Sequence, residues 1–342
     1  MFKNIIIIVF YYLLLVILFS LVSCKKTNRF ALNDKEINTN THVSIQRFDS
    51  ALVLLDTANI EYSVNKLHTD FPKFTPSFIA NILDENPEDK ANVTTLLKNF
   101  LSDSVFQDIN KKTLATYQNV NTLEKDLTTA FNFLNHYFPR INTPEVYFFV
   151  SGLNRSILLD DNIVGVGVDL YLGSDEPMYE YIVYEYMTPR MRPECVASEI
   201  VTAILYDAFP PNYADDRLLD NMLYHGKIMY LLSVALPNAK PNDLIAYTKF
   251  QWEWSRKYER EIWESIVTQQ YLYSSDLSIV QKFIGEAPFT APVSQESPGR
   301  LGIWTGWQII NNYVNKNKEV TLAELMNETN SQKILEKSKY HP

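Results

Sequence analysis

Cysteine, glycine and basic residues are scarce in this chain of 342 residues, and each shortage excludes a class of protein. Two cysteines exclude a disulfide framework and any cysteine-rich zinc or iron–sulfur site. The 31 Lys and Arg residues are outnumbered by 40 Asp and Glu, and no basic run occurs, so we expect no binding to nucleic acid. Only 9 glycines and 16 prolines against 46% hydrophobic residues exclude a collagenous or disordered chain and indicate a large core.

The N-terminus carries the long hydrophobic run of the sequence. Lys3 precedes an almost unbroken apolar stretch from Ile5 to Val22, and Ser23 and Cys24 follow it. A basic start, an apolar stretch and small residues before a cleavage point are typical of an export signal, although a run of this length is also nearly enough to span a membrane. Leu-Val-Ser before Cys24 matches the lipobox of bacterial lipoproteins, so residues 1–23 are predicted to be a signal peptide.

Cys24 is the predicted lipid attachment site. In lipoproteins this cysteine takes a diacylglyceryl thioether, and its new amine is acylated, commonly by palmitate. Each buried methylene contributes roughly 0.8 kcal/mol, so several acyl chains anchor a protein stably to a lipid bilayer. With Cys24 lipidated, Cys195 has no partner for an intramolecular disulfide.

The remainder is predicted to be a polar tether, residues 24–42, and a single α-rich domain, residues 43–342. Short β-branched or aromatic runs at 146–150, 157–159 and 163–168 predict strands, and a further short strand is expected around Ile45. Most other segments show helical periodicity. The sequence therefore predicts an α+β fold, predominantly α-helical, with a small three- to four-stranded sheet packed with helices.

Helices are also predicted after the sheet. They cover Val196 to Ala208, roughly Leu218 to Ala235, Asp243 to about Tyr273, a segment after Trp304, and a short segment that the Thr321–Glu324 capping box begins. The glycines at 302 and 306 are expected to allow close packing of the fourth of these helices.

No Gly-x-x-x-x-Gly-Lys loop and no Gly-x-Ser-x-Gly elbow occurs, so the segment Val-Ala-Ser-Glu-Ile-Val-Thr at 196–202 carries the most chemical information. It begins a helix after a sheet, the context in which zincin metallopeptidases place Ala-His-Glu-x-x-His. Ser198 and Thr202 stand where the two histidines would be, and hydroxyls are poor zinc ligands. Glu199 keeps the place of the general base, and His225 stands where a gluzincin has its third ligand, a glutamate.

Two interpretations of this segment stay open. It is either an ordinary amphipathic helix whose Glu199 pairs with a nearby cation, or an eroded site in a degenerate zincin-like arrangement. A functional metal site would require the side chains of Cys195, Glu199 and His225 to converge on one point. We predict no catalytic residues, no metal and no cofactor.

Four motifs in order, behind the lipobox, resemble the GldB family, the gliding-motility-associated lipoproteins of Bacteroidetes. They lie at 43–49, 165–173, 297–309 and 337–340. The resemblance implies a membrane-anchored, non-catalytic accessory or assembly factor of the cell envelope, serving motility and secretion machinery in gliding relatives, with envelope proteins as partners. The family is also distantly similar to predicted zinc proteases. The alternatives are therefore a periplasmic metallopeptidase-like hydrolase and a peptide- or glycan-binding lipoprotein.

The sequence also bears on the membrane face and on polar contacts. Surface-exported lipoproteins of Bacteroidetes tend to carry acidic residues after the lipidated cysteine, whereas Lys-Lys-Thr-Asn follows here, so we expect an outer-membrane protein facing the periplasm. The polar positions of the family motifs are expected to form a buried Arg–carboxylate network between sheet and helices, or else a cleft for a peptide or glycan. They are Arg47, Asp49, Asp169, Tyr171 and Arg300.

Overall fold

A small sheet lies between two layers of helices in the computed structural model, which describes residues 29–342 except Asp34, Asn40, Ala214 and the side chain of Val105. The predicted signal peptide and Cys24 lie outside the described residues. The predicted class, α+β and predominantly α-helical, is confirmed.

The sheet has four strands, β1 (Ile45–Arg47), β2 (Glu145–Phe149), β3 (Ile157–Asp160) and β4 (Ile163–Gly167). Their order is β1-β2-β4-β3, so β1 and β3 form the two edges. Strands β1, β2 and β4 run parallel, whereas β3 returns antiparallel to β4. The predicted short strand around Ile45 is confirmed as β1.

Side chains of β2 divide between the two helical layers, because successive side chains of a strand point to opposite faces. Val146 and Phe148 belong to the larger hydrophobic cluster of the protein. Tyr147 and Phe149 belong to a second, smaller cluster on the other face. Both faces of the sheet are therefore covered, which explains why this strand is apolar without a polar alternation.

The N-terminal layer, residues 48–116, covers the face with the smaller cluster. Its helices are α1 (Phe48–Val53), α2 (Ile60–Asp70), α3 (Phe74–Asn81), α4 (Lys90–Ser102) and α5 (Ser104–Thr116). Aromatic rings join this layer to the sheet: the rings of Phe74 and Tyr147 stack with centroids 4.6 Å apart, and the Phe48 ring meets Phe74 edge-on at 5.0 Å.

The C-terminal layer covers the opposite face and contains the larger cluster. Its helices are α6 (Asn121–Tyr137), α7 (Val196–Ala208), α8 (Leu218–Ala235), α9 (Pro241–Leu244), α10 (Lys249–Lys257), α11 (Glu259–Thr268), α12 (Leu277–Ile284), α13 (Leu301–Lys316), α14 (Leu322–Asn327) and α15 (Ser331–Ser338). Short 3₁₀ segments between residues 168 and 195 connect β4 to α7.

The prediction of one helix from Asp243 to about Tyr273 is wrong, because three helices occupy that stretch. Ala246 has a φ of +55°, a left-handed conformation that ends α9. Thr248 then begins α10 with a capping box in which its hydroxyl accepts from the Gln251 N–H at 3.1 Å. The fourth predicted helix also begins earlier than expected, at Leu301, so Trp304 lies within it.

Helices α8 and α13 cross at two glycines. A Cβ atom on Gly306 would lie 1.8 Å from the carbonyl oxygen of Met222, and one on Gly226 would lie 2.4 Å from the carbonyl carbon of Gly306. Both positions therefore require glycine, and the expectation that Gly306 allows close packing is confirmed. The crossing also sets the neighbouring His225 within reach of the start of α13.

The predicted tether is too long at its C-terminal end. Phe30 is only 8% exposed and packs its ring edge-on against Tyr137 with centroids 5.9 Å apart. Arg29 Nη1 donates to the carbonyl oxygen of Asn317 at 3.3 Å. The Phe30 ring also meets Tyr230 edge-on at 6.5 Å, and the polar composition of residues 24–42 concealed these contacts, which fix residues 29 and 30 to the C-terminal layer.

Candidate functional site

One cleft brings together three of the four residues of the predicted eroded site. Its volume is about 380 Å³, and Glu199, Thr202 and His225 line it. It lies beside the first residues of β3, between α7, α8 and the start of α13. Its polar lining also includes Ser156, Arg190, Tyr206, Glu286 and Arg300.

Ser198, the fourth residue of the predicted site, is turned away from the cleft. Its hydroxyl donates to the carbonyl oxygens of Cys195 at 2.8 Å and Asp243 at 3.2 Å, and the residue is 4% exposed. Cys195 is fully buried, and burial raises the pKa of its thiol to about 12. The convergence of Cys195, Glu199 and His225 that a metal site would need is therefore not present. Among the residues that the structure describes, no three His, Cys, Asp or Glu side chains are arranged to hold a metal ion.

An alternating row of charges, which we call the arginine–glutamate array, occupies the cleft. Arg190 Nε lies 3.9 Å from Glu199 Oε1, and Arg190 Nη2 lies 2.7 Å from Glu286 Oε1. The other carboxylate oxygen of Glu286 lies 3.4 Å from Arg300 Nε. Burial alone would lower the pKa of Arg190, but the charges of Glu199 and Glu286 more than offset it and raise that pKa. The array thus balances two positive and two negative charges.

His225 is held neutral beside this array. Its Nδ1 lies 2.7 Å from the hydroxyl of Tyr206, within hydrogen-bond distance. Burial, and then the charge of Arg300, lower the pKa of His225 to about 4. Burial likewise raises the pKa of Tyr206, so both groups are uncharged at neutral pH.

The backbone on one side of the cleft is strained. Arg300 has a φ of +59° and Ala246 a φ of +55°, and both residues line the cleft. Arg300 Nη2 donates to the carbonyl oxygen of Ile245 at 2.8 Å, which links the two strained positions. Tyr247 supports Arg300 as well, since its hydroxyl donates to the Gly299 carbonyl at 2.5 Å. Non-glycine residues in left-handed conformations concentrate at functional sites, because surrounding structure must hold them there.

The predicted polar network is divided in the structure. Arg47 Nε and Nη2 donate to the two carboxylate oxygens of the buried Asp49 at 2.8 and 2.7 Å. A third nitrogen of Arg47 donates to the carbonyl of Tyr117, whose hydroxyl in turn donates to the Tyr171 carbonyl at 2.7 Å. These contacts join β1 to the segment after β4. Arg300 belongs instead to the cleft.

Asp169 is held by a separate set of hydrogen bonds from backbone N–H groups. Its carboxylate accepts from the backbone N–H groups of Ser151 at 2.9 Å and Leu153 at 2.7 Å. Burial raises the pKa of Asp169 despite these bonds. Asp169 therefore fixes the loop after β2 to the end of β4, and no arginine contributes to it among the contacts of the described residues.

Arg190, Glu286 and Tyr206 are the cleft residues that sequence reasoning missed. Arg190 ends a short 3₁₀ helix and Glu286 lies in a loop, both outside the four family motifs, so neither periodicity nor motif spacing marks them. Tyr206 stands one helical turn after Thr202 on α7, a spacing that places both on one side of the helix and offered the one available signal.

Comparisons with known proteins give one match. The model of a protein family described as gliding motility protein GldB matches residues 31–342, which include every cleft residue. No curated protein and no solved structure shows significant similarity to the chain, so the zincin-like arrangement stays a prediction. None of the described helices combines the length and apolar character that a membrane span needs.

Proposed function

We propose, because this chain belongs to the GldB family of gliding-motility lipoproteins, that it is an accessory or assembly factor of the motility and secretion machinery. In this role it binds an envelope protein partner and catalyses no reaction. The cleft between β3, α7 and α8 is the proposed binding site.

The observation that carries this proposal is the engagement of Glu199 by Arg190. A general base in a hydrolase must face a water molecule or a metal-bound water, within hydrogen-bond reach of the proton it removes. Here a cation faces the carboxylate, and Thr202, one turn along α7, offers only a hydroxyl. Charges arranged in a cleft can match the complementary charges of a partner and so give binding specificity.

A complementation experiment separates binding from hydrolysis. A gliding host that lacks its own copy of the protein is supplied with Glu199→Gln or with Arg190→Gln. Glu199→Gln removes any general base but keeps shape and volume, so we expect gliding to persist, whereas Arg190→Gln should abolish it at an equal protein level. Loss of gliding with Glu199→Gln alone, together with one zinc per chain that His225→Ala removes, would establish the hydrolase instead.

Anchoring through Cys24 is the second part of the proposal. The lipobox motivates it, and the absence of acidic residues at 25–28 favours the periplasmic face of the outer membrane. Cys24→Ala should leave the protein unprocessed or soluble in cell fractionation, whereas Cys195→Ala should fractionate as wild type. Protease added to intact cells should not cut the protein. Digestion at the rate of a surface lipoprotein would overturn the assignment of the membrane face.

A further inference from the structure

The edge strand of the sheet opens into the cleft. Ser156 and Ile157, at the start of β3, line it. The carbonyl of Ser156 accepts from the Gly167 N–H at 2.9 Å, so Ser156 directs its backbone toward β4. Backbone groups alternate in direction along an antiparallel strand, and those of Ile157 and Leu159 therefore point away from β4. The contacts among the described residues give these outward groups no hydrogen-bond partner.

Each of the two arginines of the array has a guanidinium nitrogen that contacts no acceptor among the described residues. Arg190 Nη2 contacts Glu286 and its Nε lies 3.9 Å from Glu199, beyond hydrogen-bond distance, whereas Arg300 uses Nε and Nη2. Nη1 of each guanidinium has no partner among the described contacts. A guanidinium presents its donors in a planar fork that matches a carboxylate, so two such groups in one cleft suit a carboxylate ligand. The array has no net charge that would repel it.

The walls between the strand edge and the arginines are apolar. Ile157, Met229, Ile245, Ile284 and Ile303 supply them. An extended peptide lying along β3 would place alternate side chains against these walls. The unpaired backbone groups of β3 favour a peptide over a glycan, because a peptide offers the matching row of N–H and C=O groups.

We propose that the cleft binds an extended peptide segment of a partner protein. Its backbone pairs with the outward groups of Ile157 and Leu159 on β3, and one of its carboxylates binds between Arg190 and Arg300. The carboxylate is either a C-terminus or an Asp or Glu side chain. This inference rests on the proposed function, since it specifies what the binding site recognises.

The test uses the mature chain in detergent and a displayed library of random heptapeptides. One arm carries free C-terminal carboxylates, a second carries C-terminal amides, and a third carries amides without Asp or Glu. Selection from the first arm alone identifies a C-terminal carboxylate, selection from the first and second arms identifies an Asp or Glu side chain, and no peptide should be selected from the third arm. A bound peptide should also slow hydrogen exchange at the amides of Ile157 and Leu159. Peptides selected equally from all three arms, or none from any arm, would overturn the inference.

Two matched pairs of variants locate the contacts. Leu159→Pro removes an outward N–H without disturbing the bonds to β4, since proline is tolerated on an edge strand. It should weaken peptide binding at least fivefold, and Leu159→Ala less than twofold. Arg300→Asn removes the guanidinium while accepting the left-handed backbone, and it should weaken binding at least tenfold, whereas Arg217→Asn, outside the cleft, should not. Unchanged binding in Leu159→Pro or Arg300→Asn would refute the inference. If the peptides fail but Arg190→Gln still abolishes gliding, the proposed function survives without this occupant.

Discussion

The two helical layers share one sheet but are built differently. The N-terminal layer meets the sheet through stacked and edge-on rings, with Phe48, Phe74 and Phe149 all fully buried. The C-terminal layer is also apolar, yet it holds the arginine–glutamate array, a neutral half-buried histidine and the strained residues Ala246 and Arg300. The C-terminal layer therefore gathers four charged side chains around a cleft, whereas the buried carboxylate of Asp49 in the N-terminal layer is paired with Arg47 alone.

This difference indicates where function is located. Half-buried charges and left-handed residues cost free energy, and a fold keeps them where surrounding contacts over-determine them. The C-terminal layer supplies those contacts, through Tyr247 and the crossing of α8 with α13. If this comparison is right, the free energy of unfolding depends mainly on the N-terminal layer, and changes of charge act mainly on the cleft.

The largest effect is expected in the N-terminal layer. Phe74→Ala removes a fully buried ring that contacts Phe48 and Tyr147. We expect a loss of about 3–5 kcal/mol in the free energy of unfolding, measured with urea. Phe250→Ala, at a 71% exposed position, is the control and should change it by less than about 0.5 kcal/mol. Equal losses at the two positions would show that the aromatic packing of the N-terminal layer contributes little to stability.

The next effect is a pH dependence in the C-terminal layer. His225 has its pKa lowered from 6.5 to about 4 in the folded state, so the unfolded state takes up its proton first as the pH falls. The contribution of a neutral His225 to stability is thus complete above pH 6.5 and is lost between about pH 6.5 and 4, by about 3 kcal/mol. His225→Gln cannot titrate, and its unfolding free energy should fall less over this range. Parallel pH profiles for the two proteins would show that His225 is not buried and neutral.

A third prediction concerns the helix crossing. Gly306→Ala forces a methyl group into the Met222 carbonyl and should destabilise the protein by about 1–3 kcal/mol, measured by thermal or urea unfolding. The neighbouring Thr305 is a matched control, because its buried hydroxyl has no partner. Thr305→Val keeps the volume and removes that hydroxyl, so it should be neutral or stabilising. A destabilising Thr305→Val would mean that the hydroxyl has a partner after all.

Features of the two layers that depend on neighbouring residues could be predicted from the sequence, whereas features that depend on contacts between distant residues could not. The strands and the bounds of α7 and α8 could be predicted, because local runs, Pro193 and helical periodicity encode them. The end of α9 could not, since the left-handed conformation of Ala246 accompanies a contact from Arg300, 54 positions further along the chain.

The candidate site was predictable to the same extent. The comparison with the zincin motif predicted that Glu199, Thr202 and His225 lie close together, and the three residues line one cleft. Arg190 comes from a short 3₁₀ helix and Glu286 from a loop, and only the tertiary fold brings Arg190 to both Glu199 and Glu286. The sequence therefore identified the helices of the cleft and one of its cations, Arg300, but not Arg190 or Glu286.

The smallest effect separates the two carboxylates of the array. Glu286 contacts both arginines, at 2.7 and 3.4 Å, whereas Glu199 contacts Arg190 alone at 3.9 Å. Removing the shared partner leaves Arg300 without a carboxylate and Arg190 with Glu199 alone, and because Glu286 is one third exposed, Glu286→Gln should destabilise the protein by about 1 kcal/mol. Glu199→Gln leaves Arg190 paired with Glu286, and since Glu199 is one quarter exposed its loss should cost less than about 1 kcal/mol. Urea unfolding of both variants at low and high salt measures the two effects. If Glu199→Gln proves the more destabilising, Glu199 rather than Glu286 holds the arginines in place. The cleft would then resemble the N-terminal layer, because its stability would depend on every contact and not on one shared carboxylate.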